Sequence, residues 1–126
     1  MTATATTTTF TDFQHEFIQK MTNKSGLSFS QLIFDSLSFN IEENIDEIIR
    51  EYFKFIYTKK TNSPIKTVSY RPIANTNLQL KKLSNLCKEK GFNIGKKGII
   101  LILLIHYSNQ QNFENDFLKL YKNNNL

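Results

Sequence analysis

Polar and apolar positions alternate with a period of two over Thr67-Val68-Ser69-Tyr70-Arg71, until Pro72 stops them. Such alternation predicts a short strand with one buried face. The period then lengthens to that of a helix. Leu78 to Lys90 carries Leu78, Leu80, Leu83, Leu86 and Cys87 on one side, with Thr76 as its cap. Gly91 turns the chain, and a second helix starting near Asn93 is dominated by Ile99 to Ile105. A last amphipathic stretch, Gln110 to Lys122, places Phe113, Phe117, Leu118 and Tyr121 at helical spacing.

The first half repeats this order. Thr2 to Thr6 alternates hydroxyl with methyl, as a strand with one buried face would. Thr11 is placed to cap a helix bearing Phe13, Phe17, Ile18 and Met21, which Gly26 ends. Ser28 caps the next, with Phe29, Leu32, Ile33, Leu37 and Phe39 as its apolar residues. Asn40-Ile41-Glu42-Glu43 resembles a capping box for a third helix, striped with Ile41, Ile45, Ile48, Ile49, Tyr52, Phe53 and Ile56. A shift of 65 residues lays Thr2 on Thr67, Thr11 on Thr76 and Gly26 on Gly91, and carries strand and three helices across without a gap. The correspondence rests on residue class, since identities are few. It also sets Ile33 against Gly98, so the second copy is expected to use Ile99 there.

A lone five-residue strand is not stable in water, so two in one chain are expected to pair. The fold class predicted is mainly α with a short two-stranded antiparallel β-ribbon. Residues 58–65 are polar with one proline and read as a linker. The copies are then 1–61 and 66–126, joined at 62–65 and interlocked as one domain, because halves of ~60 residues are marginal alone.

Composition narrows the partner. Residues 1–53 hold three basic and eight acidic side chains, a net −5, whereas 54–97 hold eleven basic and one acidic, a net +10. A concentrated basic block favours a polyanion, nucleic acid ahead of an anionic membrane surface. The longest apolar run, Ile99 to Ile105, is far short of the ~20 residues that span a bilayer. Threonine and alanine at the start do not make a signal peptide, so a soluble cytoplasmic protein is expected. The single cysteine, Cys87, excludes an internal disulfide and falls in an apolar stripe. His15 and His106 have no ligand-type residue at metal spacing, and no phosphate loop, nucleophile elbow or paired-carboxylate motif occurs. No metal, no cofactor and no enzymatic activity are expected.

The outward residues of the ribbon then carry the chemistry. Thr67, Ser69 and Arg71 share one face of the second strand, and Thr2, Thr4 and Thr6 share one face of the first. A ribbon of this kind fits the DNA major groove, where Arg binds guanine bidentately and hydroxyls contact several bases. The starts of the second helices supply free N–H groups suited to phosphate. They bring Ser28 and Ser30 in one copy and Asn93, Gly95, Lys96 and Lys97 in the other, with Lys66 at the head of the second strand.

Strand, capped helix, glycine turn with Gly-x-Ser or Gly-x-Asn, and apolar second helix together resemble the ribbon-helix-helix (Arc/MetJ-type) DNA-binding family. The resemblance covers 66–107 well and 1–40 more loosely. It implies an interlocked pair of copies whose ribbon enters the major groove, here a tandem pseudo-dimer in one chain. It implies base reading by Thr67, Ser69 and Arg71, and phosphate anchoring by Asn93, Gly95 and Lys96. The tandem arrangement is similar to the TraY-type relaxosome accessory proteins of conjugative plasmids. That implies double-stranded DNA at an origin of transfer as partner, a relaxase or other plasmid-transfer protein as a candidate second partner, and multimers on DNA. A homodimer through the second strands is the structural alternative. A transcriptional repressor, a copy or partition regulator and an antitoxin are the functional ones. A rival of another class is a helical protein-interaction module using the acidic third helix and the Phe113–Tyr121 tail.

Overall fold

The computed structural model describes residues 6–39, 41–56 and 65–111. Strand β1 (Thr6–Thr11) leads into helices α1 (Asp12–Ser25) and α2 (Phe29–Ser36). A single 3₁₀ turn (Glu42–Asn44) introduces α3 (Ile45–Ile56). Strand β2 (Ile65–Tyr70) and helices α4 (Thr76–Glu89) and α5 (Lys96–Gln110) follow. β1 and β2 pair antiparallel as a two-stranded sheet. The protein is thus mainly helical with a short antiparallel ribbon, and the order strand-helix-helix occurs twice.

The first strand lies further along the chain than the alternation of Thr2 to Thr6 suggested. Phe10 is the reason. It is 1 % exposed, and it sets the phase so that Thr6 and Thr8 share the inner side while Thr7 and Thr9 are exposed. In the register, Thr7 faces Ser69, Thr8 faces Val68 and Thr9 faces Thr67. A half-turn through the Thr8–Val68 pair therefore exchanges Thr7 with Thr67, Thr9 with Ser69, Phe10 with Tyr70 and Thr11 with Arg71. Strand positions correspond at a spacing of sixty residues, not 65. The first helices start at Asp12 and Thr76, sixty-four apart, because Pro72 to Asn75 are inserted after Arg71. The first helical hydrogen bonds of α2 and α5 are Leu32 N to Ser28 O and Ile99 N to Gly95 O, sixty-seven apart. On that spacing Ile33 corresponds to Ile100 and Gly98 to Gln31, and the expected mismatch at Gly98 disappears.

Local chemistry explains most element ends. Thr11 Oγ1 accepts from Gln14 N at 3.2 Å while Gln14 Oε1 accepts from Thr11 N at 3.1 Å, a reciprocal cap for α1. Ser28 Oγ caps α2 by accepting from Gln31 N at 3.2 Å. Gly26 (φ 72°) and Gly91 (φ 91°) both turn the chain in the left-handed region. At Gly91 the bonds Phe92 N to Cys87 O (2.8 Å) and Gly91 N to Lys88 O (3.0 Å) form a Schellman pair. Thr76 is not a cap. It is the buried first residue of α4, and its hydroxyl donates back to Ile73 O because the preceding turn brings that carbonyl under it. In place of the capping box expected at Asn40 to Glu43, a 3₁₀ turn (Glu42–Asn44) follows a buried Ile41 that provides no side-chain cap. Asn40 itself lies outside the described residues.

α5 forms the centre. Residues Ile99 to Ile105 are all buried, and α1, α2, α3 and α4 each pack against this helix. A helix apolar on every side is stable only when surrounded in this way. Phe17, Ile18 and Met21 of α1, Leu32 and Ile33 of α2, Ile45, Ile48 and Ile49 of α3, and Leu80, Leu83 and Cys87 of α4 complete the core. Leu78, expected on the buried side of α4, is 54 % exposed. Leu80, Leu83 and Cys87 at steps of three and four define the buried stripe, and a residue two before it points away. The side chains of α3 beyond Arg50, most of the linker and the stretch after Gln111 lie outside the described residues. Ile65 belongs to β2 rather than to the linker. Among the described residues no helix is long and apolar enough to cross a membrane.

Candidate nucleic-acid interface

The two faces of the ribbon differ sharply in chemistry. Inside, Phe29 at the start of α2 meets Phe10 edge-on at 6.1 Å and Tyr70 edge-on at 5.4 Å between ring centres. One residue of α2 thereby supports both strands. Burial pushes the Tyr70 phenol above its ordinary value, and its hydroxyl lies 3.5 Å from Asn77 Oδ1 of α4. Outside, Thr7, Thr9, Thr67 and Ser69 are exposed as two cross-strand pairs. Four hydroxyls stand on one surface.

Of the residues expected to contact bases, Thr67, Ser69 and Arg71 are exposed on this side or at its end. Thr6 is not among them. It is half-buried and opposite Tyr70 in the register, on the inner side set by Phe10. Thr2 and Thr4 lie outside the described residues. Thr7 and Thr9 take the place assigned to these threonines. Phe10, the one bulky apolar residue in the run Thr6 to Thr11, was the signal in the sequence for that phase.

Arg71 follows directly on β2. Its N–H donates to Ser30 Oγ at 3.1 Å, so the first turn of α2 holds the end of β2. Ser30 and Arg71 are therefore brought together, while Ser28, exposed, is occupied in capping. In the second half Asn93 and Gly95 are exposed in the turn before α5, and Ser84 Oγ donates to Ile94 O to brace that turn. Lys96 is the exposed first residue of α5, and Lys97 is half-buried beside it. Lys96 shares a shallow groove of about 460 Å³ with Asn77, Leu78, Lys81 and Ser84. Lys66 sits opposite Phe10 in the register, and its side chain lies outside the described residues.

Other chemistry is less convergent. Among the described residues no group of three or more His, Cys, Asp and Glu side chains comes together. His106 packs edge-on against Phe39 at 5.9 Å. Cys87 is fully buried; burial first and the Asp46 carboxylate second push its thiol up, partly offset by a backbone hydrogen bond and Lys90. Asp46 and Lys90 form an ion pair at 3.7 Å between α3 and the end of α4. Glu42, Glu43 and Glu47 are exposed near the start of α3 in the chain. Compared with protein-family models, with curated proteins and with solved structures, the chain matches none.

Proposed function

We propose that this chain is a double-stranded DNA-binding protein of ribbon-helix-helix type, a binding protein rather than an enzyme, that inserts its ribbon into the major groove. The observation that carries the reading is the outer ribbon face: four paired hydroxyls, exposed, with the exposed Arg71 at its end and an aromatic seal beneath. Hydroxyls and a guanidinium are the groups that hydrogen-bond base edges there. The packing of α2 on α5 and the pairing of β1 with β2 support two interlocked copies in one chain, a tandem pseudo-dimer that is monomeric in solution. Lys96 and Lys97 at the start of α5 are the phosphate anchors of this reading.

The tandem order also supports a role as an accessory protein at a plasmid origin of transfer. A relaxase gene beside this one would support that role, and a toxin gene there would replace it with an antitoxin's.

Binding to duplex DNA at several salt concentrations tests the biochemical proposal. Affinity falls with salt, and Lys96→Ala weakens all sequences alike while reducing the salt slope by about one. Arg71→Ala costs about 1–3 kcal/mol at one base position. If Arg71→Ala alters neither affinity nor preference, ribbon reading is wrong. An obligate dimer by mass measurement would replace the pseudo-dimer with a homodimer.

A further inference from the structure

The outer ribbon face is two-fold symmetric at its centre and unequal at its ends. Rotation about the Thr8–Val68 pair exchanges Thr7 with Thr67 and Thr9 with Ser69, hydroxyl for hydroxyl. One step further out, Arg71 on the second copy corresponds to Thr11 on the first. Arg71 is exposed, and among the described residues only its backbone N–H is engaged, by Ser30. Thr11 is half-buried and engaged twice, its Oγ1 by Gln14 N and its N–H by Gln14 Oε1. The difference follows from chain connection. α1 begins at the residue after Thr11, so Thr11 serves as its cap, whereas Pro72 to Asn75 separate Arg71 from α4 and leave its side chain uncommitted.

We infer that this chain reads an asymmetric DNA site in a single orientation, with Arg71 taking a guanine at one end and its counterpart Thr11, committed to capping α1, unable to do so at the other. The inference rests on the DNA-binding reading above. A guanidinium matches O6 and N7 of guanine with two parallel hydrogen bonds, which other bases do not offer; a hydroxyl accommodates several bases. The four central hydroxyls therefore discriminate weakly and almost symmetrically. Arg71 breaks the symmetry, and the copy of lower specificity is the one whose strand runs straight into its helix.

Selection of binding duplexes from a random pool, using the full chain, tests this. The expected consensus is not palindromic and has its strongest guanine preference at one end. Replacing that guanine lowers the wild-type affinity roughly tenfold or more, and lowers the affinity of Arg71→Ala less than about twofold. The base related to it by two-fold symmetry changes affinity less than about twofold in both proteins, as a position without a bidentate reader should. Arg71→Lys keeps the salt dependence of the wild type but weakens the guanine preference, since an ammonium lacks the planar fork, which separates reading from charge. Unchanged circular dichroism is expected for both variants, since the side chain is exposed. A palindromic consensus with equal weight at both ends overturns the inference and leaves the DNA-binding reading standing. A pool from which nothing is retained at low salt overturns both.

Discussion

α2 and α5 each follow a strand, a helix and a left-handed glycine, and they pack on each other, yet α2 has eight residues and α5 fifteen. α2 buries Leu32, Ile33 and Ser36 and leaves Phe34 36 % exposed, so it has one core face. α5 is covered by four helices and buries seven consecutive residues, Ile99 to Ile105. Equal order in the chain therefore does not mean equal place in the fold. The helix at the centre must be apolar all round, and the helix at the rim only along a stripe. The connections differ in the same sense. The first half is closed by side-chain caps at Thr11 and Ser28, while α4 starts without a side-chain cap at Asn75.

The largest expected effect breaks this comparison at the two second helices. Ile102→Ala should destabilise the whole protein by about 2–5 kcal/mol, as buried large-to-small changes do. Phe34→Ala, at a partly exposed position of α2, should cost less than about 1 kcal/mol. Denaturant titration of both variants measures the difference, and equal losses would mean that α5 is not the shared centre. Next in size are the caps. Thr11→Ala should cost about 0.5–2 kcal/mol, whereas Asn75→Ala should be close to neutral. Helix protection in amide exchange, read for α1 and α4 separately, sharpens that contrast.

A smaller effect lies in the inserted loop. Ala74 has φ 51°, a conformation that a side chain disfavours. Ala74→Gly should therefore raise stability by up to about 1 kcal/mol in thermal unfolding, less whatever backbone freedom the unfolded chain gains. The smallest effect is a pH dependence. Burial holds the phenols of Tyr70 and Tyr107 above their ordinary value of 10.0, and Asp35 adds to the shift at Tyr107. The fold thus favours their neutral forms. That contribution is complete below about pH 10 and is lost as pH rises through the folded values. Tyr70→Phe should remove part of the alkaline loss, and Phe10, the residue at the corresponding place on β1, has no group to titrate.

Features governed by a few neighbouring residues were legible in the sequence. Gly26 and Gly91 turn the chain as glycines do after a helix, and Thr11 and Ser28 cap as their hydroxyls allow. The alternation around Val68 and Tyr70 identified the inner and outer sides of β2 because each side chain's direction follows from the strand itself. The first strand was harder. A run of threonines has no phase of its own, and the alternating alanines upstream suggested one that Phe10 contradicts.

The sequence by itself determined the two strand-helix-helix units, their turns and the hydroxyl character of the ribbon, since these depend on period, capping and side-chain type. Only the tertiary structure decided the register that pairs Thr7 with Ser69 and Thr9 with Thr67. It alone decided the exposure of Leu78, the central place of α5 and the unequal ends at Thr11 and Arg71. Those depend on which surfaces meet, and contacts between residues sixty positions apart leave no periodic trace along the chain.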